Sequence, residues 1–407
     1  MVTTKAGVFK LNGVIKNYDW GGTDFLPDLL SIPNPFKQPM AEYWLGAHAS
    51  SPSLIDIPDA TIALDKFIAN NTEAALGKIV AKKFGQLPFL LKVLDVRDML
   101  SIQVHPSKHV AEVEFANENK RAIPIDAPHR NYRDDNHKPE LVVALNDFWL
   151  LHGFKTVQDL LITLESIPEF KPLITVFEET GYDQLYKTVM EMPQRTVNEL
   201  LQPLLDRIIP LYQENKLPKD KEDFWAARAA LTFDKDTIDR GIFSIYFFNL
   251  VRLRKGEGIF QDAGVPHAYL EGQCVEIMAN SDNVLRGGLT NKHVDIRELM
   301  KNIKFEETIP HILLPERLNN EEVYRTGTPD FKLSRVQLAI SKNLPFILMS
   351  PAIVLVIHGG ALIQAESSGM QLGRGESAFI CSGEGITITA ESDVDIYLAS
   401  VPVHSIE

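Results

Sequence analysis

The stretch Ser101-Ile-Gln-Val-His-Pro106 has the alternation of a short β-strand and ends at a proline. Because the side chains of a strand point alternately to its two faces, Ser101, Gln103 and His105 should share one face. The two residues between them are apolar and should point to the other face. The polar face therefore presents an amide and an imidazole as candidate metal ligands, although an isolated Gln-x-His pattern also occurs on ordinary exposed strands.

The composition is that of a globular chain of two or three domains. Its 407 residues are 45% hydrophobic and 23% charged, and no apolar run approaches the roughly 18 residues of a membrane-spanning helix. The formal net charge of -13 argues against nucleic acid or a membrane surface as a partner, so an anionic substrate would need a local basic pocket. With only Cys274 and Cys381 and no apolar secretory signal, we expect a cytoplasmic protein, and we expect a monomer.

Hydrophobic periodicity divides the chain into four segments. Residues 1–153 mix short strand-like runs with turn signals, residues 154–240 have helical periodicity, and strands resume over residues 241–315. Residues 316–407 are again rich in strands and turns. The sequence thus predicts a mainly β protein with an α-helical insert.

Two local patterns carry further expectations. Within the helical segment, Pro203 and Pro210 should break or kink a helix, because proline removes a backbone donor and clashes with the preceding turn. The mostly apolar run over residues 242–253 is interpreted as a strand.

A second polar cluster precedes an apolar strand at Asn136-His-Lys-Pro-Glu140. The residue before a proline favours extended geometry, so Lys138 and Glu140 should share one face while His137 points to the other. A surface ion pair at a strand start is the ordinary alternative. His109 follows His105 by four residues, but Pro106 separates them, so we interpret His109 as a residue on the surface of a helix.

Two more clusters lie beyond the helical segment. His267 and Tyr269 alternate after a Gly-Val-Pro turn and should share a face. Arg286 precedes a Gly-Gly pair and Lys292 follows it, so these two cations could hold an anion. A structural histidine and a solvated loop are the alternatives when each cluster is taken alone.

Together the clusters supply one amide oxygen, two imidazoles and one carboxylate. The four residues are Gln103, His105, Glu140 and His267. This set suits zinc, though manganese, iron or cobalt would also accept it. Because only one ligand is anionic, a divalent ion would remain a good Lewis acid that could stabilise an enediolate. The cations Lys92, Lys138, Arg286 and Lys292 would make the pocket positive, as a phosphorylated sugar requires.

Several ordered motifs resemble those of type I phosphomannose isomerases. They are Gln103-Val-His105-Pro-Ser-Lys, Asn136-His-Lys-Pro-Glu140, Gly264-Val-Pro-His267-Ala-Tyr269 and Asn283-Val-Leu-Arg286-Gly-Gly-Leu-Thr-Asn-Lys292, with Tyr18-Asp-Trp20-Gly and Arg374-Gly-Glu-Ser-Ala-Phe near the two ends. The resemblance spans the whole chain. It implies a cupin fold, with a catalytic jelly roll formed by residues 1–153 and 241–315, a helical domain at residues 154–240 and a second cupin-like jelly roll at residues 316–407.

The resemblance also implies an activity, the interconversion of mannose 6-phosphate and fructose 6-phosphate with one zinc ion per chain. By that similarity Gln103, His105, Glu140 and His267 are the zinc ligands, and Arg286 is the active-site arginine. The reaction removes the proton from C2 of the open-chain aldose and returns one to C1 through a cis-enediol, while a second group moves protons between the two oxygens.

The roles of the other polar residues are less determined. Glu276 is our first choice of base, because a carboxylate on an otherwise apolar strand can have its pKa raised towards neutrality. Asp282 with His137 is the rival pair. We expect Lys138 to assist at the oxygens, and we expect substrate contacts from Lys92, Ser101, Tyr269 and Lys292.

Two other kinds of cupin are the alternatives: an iron or manganese oxygenase, and a protein that binds sugars without catalysis. Oxygen chemistry requires neither the neutral Gln103 in place of a third histidine nor the cations Arg286 and Lys292. A sugar binder would not need a general base beside the metal. The isomerase is therefore the preferred interpretation.

Overall fold

The computed structural model describes residues 7–57, 60–233, 237–318, 321–366 and 368–403. In this part of the chain, strands in three antiparallel sheets form most of the fold and helices cluster in one long segment. The prediction of a mainly β protein with a helical insert is confirmed. The strands are β1 (Val8–Asn12), β2 (Val14–Lys16), β3 (Glu42–Gly46), β4 (Leu54–Ile57), β5 (Ala60–Ala63), β6 (Phe89–Val96), β7 (Gln103–Val104), β8 (Glu140–Ala144), β9 (Phe148–Phe154), β10 (Phe248–Leu253), β11 (Gly258–Gln261), β12 (His267–Ala279), β13 (Leu285–Arg286), β14 (Glu316–Leu318), β15 (Glu321–Tyr324), β16 (Lys332–Leu338), β17 (Asn343–Ile347), β18 (Ala352–His358), β19 (Ala361–Ala365), β20 (Gly369–Leu372), β21 (Ser377–Ile380), β22 (Gly385–Ala390) and β23 (Val394–Ser400).

The helices flank the sheets or form the insert. They are α1 (Phe25–Leu30), α2 (Leu64–Asn70), α3 (Thr72–Phe84), α4 (Lys108–Lys120), α5 (Val157–Ser166), α6 (Lys171–Glu191), α7 (Gln194–Gln213), α8 (Glu222–Thr232), α9 (Gly241–Phe247) and α10 (Ile296–Asn302). None of the helices in the described residues is both long enough and apolar enough to cross a membrane.

Strand β12 is the spine of the ten-stranded sheet that carries the candidate site. Its first part pairs with β7 and β9, and the part from Gly272 onward pairs with β6 and β8. The change of partner falls where the register with β9 shifts, between Tyr269 and Glu271. The remaining strands extend this arrangement in the order β10-β9-β12-β6-β3-β2, with β11 on β8 and β13 on β7. One long strand therefore brings four shorter ones around the site.

Both ends of the chain contribute to the second large sheet, which has the order β14-β15-β16-β23-β18-β21-β1-β4-β5. A four-stranded sheet, β17-β22-β19-β20, packs against it across a core that includes Val354, Ile363 and Ile388. Strand β1 belongs to residues 1–153 yet pairs with β21, which lies beyond residue 316, and β4 and β5 extend the sheet from β1. The predicted domain boundaries at 153, 240 and 315 stay predictions.

The helical segment is inserted between two neighbouring strands. Strands β9 and β10 pair in an antiparallel fashion, with Phe154 opposite Phe248, and helices α5 to α9 lie between them in the chain. The insert is held by an apolar core that includes Tyr186, Trp225 and Phe243. Since β9 also pairs with β12, the insert is anchored next to the candidate site.

Two local predictions differ from the structure. Residues 242–247 belong to helix α9, and the predicted strand begins only at Phe248. All of α9 is buried, so its sequence is apolar on every side and lacks the periodicity that separates a helix from a strand. Helix α7 continues through Pro203 and Pro210, so the predicted break does not occur there, while the kink that was the other prediction stays a prediction.

The shared sheet makes a prediction about stability. Leu11 on β1 is 1% exposed, so Leu11→Ala should lower the free energy of unfolding by about 2–5 kcal/mol by leaving a cavity between the two ends of the chain. Leu54 on the neighbouring β4 is 43% exposed, so Leu54→Ala should cost less than about 0.5 kcal/mol. Urea denaturation of both variants checks this, and equal losses would contradict the placement of β1 in the sheet.

Candidate metal centre and active site

Gln103 lies on β7, the middle one of three neighbouring strands. On β7 it lies directly opposite His267 of β12 and, on its other side, opposite Arg286 of β13. Directly opposed residues of antiparallel strands point to the same face of a sheet. The register therefore places the side chains of Gln103, His267 and Arg286 on one face.

The chain turns away from β7 immediately after His105. Pro106 follows, and Ser107 caps helix α4 by accepting a hydrogen bond from the Val110 amide. Capping by a serine satisfies a backbone donor that the first turn would leave free. His109 lies exposed on this helix, as predicted, so only His105 of the two histidines turns inward.

The second cluster enters the site from β8. Lys138 and Glu140 are both buried, and Lys138 Nζ lies 3.2 Å from Glu140 Oε1. His137 points elsewhere, because its Nε2 lies 3.0 Å from Asp330 Oδ2. This is the alternation that Pro139 predicted.

Three buried side chains converge on one point. His105 Nε2 lies 3.5 Å from Glu140 Oε1, and His267 Nε2 lies 3.3 Å from Glu140 Oε2. One ligand atom from each residue falls within 4.8 Å of the other two. In the part of the chain that the structure describes, this is the one group of three or more histidine, cysteine or acidic residues that could hold a metal ion.

Backbone carbonyls determine which nitrogen of each imidazole faces Glu140. His105 Nδ1–H donates to the Asn283 carbonyl at 2.9 Å, and His267 Nδ1–H donates to the Val265 carbonyl at 3.0 Å. Because a carbonyl oxygen can only accept, each ring carries its proton on Nδ1 and presents the lone pair of Nε2 to the carboxylate. Burial lowers the pKa of His105 to about 4, so this ring is neutral at pH 7.

The carboxylate is ionised. Burial would raise the pKa of Glu140, but the neighbouring Lys138 outweighs burial and holds this pKa well below its ordinary value. Two nitrogen lone pairs and an anion therefore face one another, and His105 Nε2 is buried without a hydrogen-bond partner. Such a group is costly unless a cation lies between its members. Together with the amide of Gln103, these residues fit a divalent metal with nitrogen and oxygen ligands.

Behind this group lies a buried network of charges. Lys92 Nζ donates to Glu276 Oε2 at 2.8 Å and lies 3.6 Å from Glu42 Oε2. The Tyr269 hydroxyl donates to Glu276 Oε1 at 2.9 Å and lies 3.3 Å from Glu140 Oε2. Tyr269 therefore joins the network to the candidate metal ligands.

Opposing effects determine the protonation of this network. Burial would lower the pKa of Lys92, but Glu276 and Glu42 outweigh burial and raise it. Burial raises the pKa of Glu276, against the effect of Lys92. Burial also raises the pKa of Tyr269 well above its ordinary value, with Glu276 adding to the effect. Lys92 is thus a cation and Tyr269 a neutral donor at pH 7.

A small cavity of about 70 Å³ opens between the candidate ligands and this network. It is lined by Glu42, Lys92, Leu94, Leu100, Gln103, Lys138, Glu140, His267, Ala268, Tyr269 and Glu276. The volume has room for a metal ion and several waters but not for a whole sugar phosphate. A substrate of that size must therefore extend outward from this cavity.

Unpaired cations lie on the neighbouring loop. Burial lowers the pKa of Arg286, and the nearby Arg133 lowers it further. Partial burial also lowers the pKa of Lys292, with Arg286 and Arg133 adding to the effect. Among the described residues no carboxylate forms an ion pair with any of the three. We call residues 286–292 the anion loop, because its two cations and Arg133 lack a partner that an anion would supply.

The structure does not bring all the predicted residues to the cavity. Asp282 is exposed, and its Oδ1 lies 3.5 Å from His48 Nε2. His137 contacts Asp330 instead of Asp282. Ser101 is half-buried and is not among the residues that line the cavity. The rival pair of Asp282 and His137 is therefore not assembled in this structure.

Three contributors to the site were missed from the sequence. Glu42 lines the cavity beside Lys92, and its alternation with Trp44 in an aromatic strand was the available signal. Asn283 carries the carbonyl that fixes His105, while its side chain accepts from the Arg133 amide at 2.7 Å and donates to the Asn136 carbonyl at 2.9 Å. Arg133 adds a third cation. The last two depend on contacts between distant loops, which no local pattern reveals.

A larger groove lies elsewhere in the fold. It has a volume of about 920 Å³ and runs along the second large sheet, past Tyr324, Phe331 and Met349. The group of His105, Glu140 and His267 is not part of it. The volume of a cavity alone therefore does not identify the candidate active site.

Comparison with known proteins agrees with the site. The family described as phosphomannose isomerase type I, catalytic domain, matches residues 8–157. Mannose-6-phosphate isomerase from Escherichia coli (strain K12) is 38% identical over 383 residues, which cover 92% of this chain and 95% of that protein.

Solved structures extend the likeness to the whole fold. A phosphomannose isomerase variant from Salmonella typhimurium superposes with a TM-score of 0.89 at 34% identity, covering 98% of this chain and 100% of that chain. Mannose 6-phosphate isomerase from the same organism, bound to fructose 6-phosphate and zinc, superposes with a TM-score of 0.88 at 35% identity and the same coverage. The chain belongs to the type I phosphomannose isomerase family.

Proposed function

We propose that this protein is an aldose–ketose isomerase that interconverts mannose 6-phosphate and fructose 6-phosphate through a cis-enediol. The observation that carries the proposal is the buried carboxylate of Glu140 between two imidazole lone pairs, next to a cavity and an unpaired group of cations. A metal site alone would serve many reactions. The cations beside it select a substrate that carries negative charge.

Zinc is the metal we propose, held by Gln103, His105, Glu140 and His267. The neutral imidazoles, one carboxylate and one amide oxygen are ligands that zinc accepts. When bound, zinc supplies a Lewis acid that stabilises negative charge on the oxygens of the substrate. Its relatives support the choice, since the Salmonella typhimurium enzyme is described with zinc and fructose 6-phosphate bound.

The phosphate of the substrate would lie at the anion loop. Arg286 and Lys292 carry unpaired positive charge there, and Arg133 adds to it. The sugar carbons would then reach inward to the cavity, since Arg286 lies opposite Gln103 in the strand register. Ser101 and Tyr269 stay predicted substrate contacts, and Lys92 has a second role as the partner of Glu276.

Glu276 is the base that we propose for the proton at C2. It lines the cavity, whereas Asp282 does not. The hydrogen bonds from Lys92 and Tyr269 fix its carboxylate without occupying every lone pair of the two oxygens. Glu276 would take the C2 proton and return one to C1, while Lys138 would move protons between O1 and O2. Asp282 with His137 is the alternative.

The remaining proposals concern the setting of the enzyme. We propose a cytoplasmic monomer whose partner is the small sugar phosphate, with no nucleic-acid or membrane partner. The formal net charge of -13 supports this, because such a charge repels phosphate backbones and anionic lipids. Cys274 and Cys381 are both buried and free, which suits a reducing compartment.

Removal of the metal tests the function directly. Treatment with a chelator should abolish the conversion of mannose 6-phosphate to fructose 6-phosphate in a coupled assay, and added zinc should restore it. The physical reason is that the bound metal would supply the Lewis acid that stabilises negative charge on the oxygens of the substrate. A zinc-loaded protein without turnover would contradict the isomerase and return attention to an oxygenase or a non-catalytic sugar binder.

Two matched amide variants test the choice of base. Glu276→Gln should lower kcat by at least about a hundredfold, because an amide cannot accept the C2 proton. Asp282→Asn should change kcat by less than about threefold, because the exposed carboxylate lies outside the cavity. Zinc content and melting temperature serve as controls for folding. If Glu276→Gln kept most of its turnover while Asp282→Asn lost it, the base would be Asp282.

A lysine pair tests the phosphate site. Lys292→Gln should raise KM for mannose 6-phosphate about three- to tenfold with little change in kcat, because it removes one charge from the anion loop. Lys301→Gln is the matched control, since Lys301 lies on α10 and pairs with Glu298 at 2.8 Å. Steady-state kinetics of both variants measure the effect. An equal shift in KM for the two variants would argue against a local phosphate contact.

A further inference from the structure

One carboxylate at the end of the helical segment holds the anion loop. Asp239 Oδ1 accepts hydrogen bonds from the amide of Gly241 at 2.6 Å and from the amide of Leu289 at 2.9 Å. Asp239 Oδ2 accepts a hydrogen bond from the amide of Thr290 at 3.0 Å. Two of these three donors belong to the anion loop, so the carboxylate ties that loop to the start of helix α9.

The backbone of the anion loop has an uncommon conformation that hydrogen bonds from outside the loop stabilise. Leu289 has φ of 54°, a left-handed conformation that is uncommon for residues with a side chain. Gly288 has φ of 119°, and a Cβ atom there would lie 2.6 Å from the Cα of Gly241. The loop therefore follows a path that its own residues do not favour, in close contact with the helical segment.

The opposite side of the loop is fixed by the strand that leads to the metal site. The Gly287 amide donates to the Ile102 carbonyl at 2.9 Å, and the Ile102 amide donates to the Gly288 carbonyl at 3.0 Å. Ile102 directly precedes Gln103 in the chain. The loop is thus held on both sides, by Ile102 beside the candidate metal centre and by Asp239 in the helical segment. We call these hydrogen bonds the clamp.

The clamp lies between the two cations of the loop. Arg286 precedes the clamped residues and is held in register opposite Gln103. Lys292 follows them, and its amide donates to Thr290 Oγ1 at 3.1 Å. A displacement of Leu289 and Thr290 would therefore change the position of Lys292 relative to Arg286, and with it the charge that a phosphate meets.

We propose that Asp239 is a positioning residue for anion recognition, through which the helical segment holds the phosphate-binding loop of the active site in place. It touches neither the substrate nor the metal ligands in this account. It accepts three backbone amides and thereby fixes the spacing of Arg286 and Lys292. The inference deepens the proposed function, since it assumes that the loop binds the phosphate of the substrate.

The test is the binding of inorganic phosphate to the full-length, zinc-loaded protein, measured by calorimetry. In Asp239→Asn the amide nitrogen replaces one acceptor oxygen and faces a backbone N–H, so one hydrogen bond of the clamp becomes a repulsion. We expect the affinity for phosphate to fall about tenfold and KM for mannose 6-phosphate to rise by a similar factor. The zinc content should stay unchanged, and kcat should change much less than KM.

A second variant perturbs the same contact from the other side. Gly241→Ala places a Cβ atom 2.6 Å from the Leu289 amide nitrogen, which pushes the loop away while Asp239 is kept. Gly241→Ala should weaken phosphate binding in the same way. If Asp239→Asn does not fold, Gly241→Ala provides the test of whether this contact positions the loop for phosphate binding. Asp223→Asn is the matched control, because Asp223 also lies in the helical segment but accepts a hydrogen bond from Tyr246.

The outcomes separate this inference from the proposed function. A folded Asp239→Asn or Gly241→Ala protein with the phosphate affinity of the original chain would overturn the inference, as would an equal loss in Asp223→Asn. Absence of phosphate binding by the original chain would overturn it too. Turnover of mannose 6-phosphate by the original chain is measured separately, so the isomerase can stand while the role of Asp239 fails.

Discussion

The site depends on one electrostatic constraint, the buried carboxylate of Glu140 facing the unprotonated nitrogens of His105 and His267. Carbonyls of Asn283 and Val265 accept hydrogen bonds from Nδ1 of the two rings, so rotation of either ring would cost it that hydrogen bond. A cation relieves this electrostatic constraint. Strand β12, the turn before it and the loop after it bring the side chains of His105, Glu140 and His267 together. A bound metal ion would therefore lie at the centre of the site.

The charges around the cavity also favour an anionic substrate. The cavity is lined by three carboxylates, Glu42, Glu140 and Glu276, and by two ammonium groups, Lys92 and Lys138. Their formal sum is one negative charge, which attracts a divalent cation and becomes one positive charge when that cation is bound. The cations of the anion loop extend this positive charge outward. Metal binding and phosphate recognition are therefore parts of one electrostatic arrangement.

Sequence reasoning was most successful where a local rule acts. Pro139 predicted that Lys138 and Glu140 share a face and that His137 does not, and the contacts of all three residues agree. It failed for residues 242–247, because a helix that is buried on every side has no polar face to mark its period. It also could not reveal that β1 joins the sheet near residue 377 or that Asp239 holds Leu289, since both contacts join residues far apart in the chain.

The measurement that tests the central claim most directly is anomalous diffraction at the zinc absorption edge, from crystals of this protein grown with zinc. We predict one strong peak within bonding distance of His105 Nε2, His267 Nε2 and a carboxylate oxygen of Glu140, with the amide oxygen of Gln103 completing the ligands. Crystals that show no peak there, or a stronger peak at another group of residues, would contradict the account of the site as a metal centre organised by Glu140.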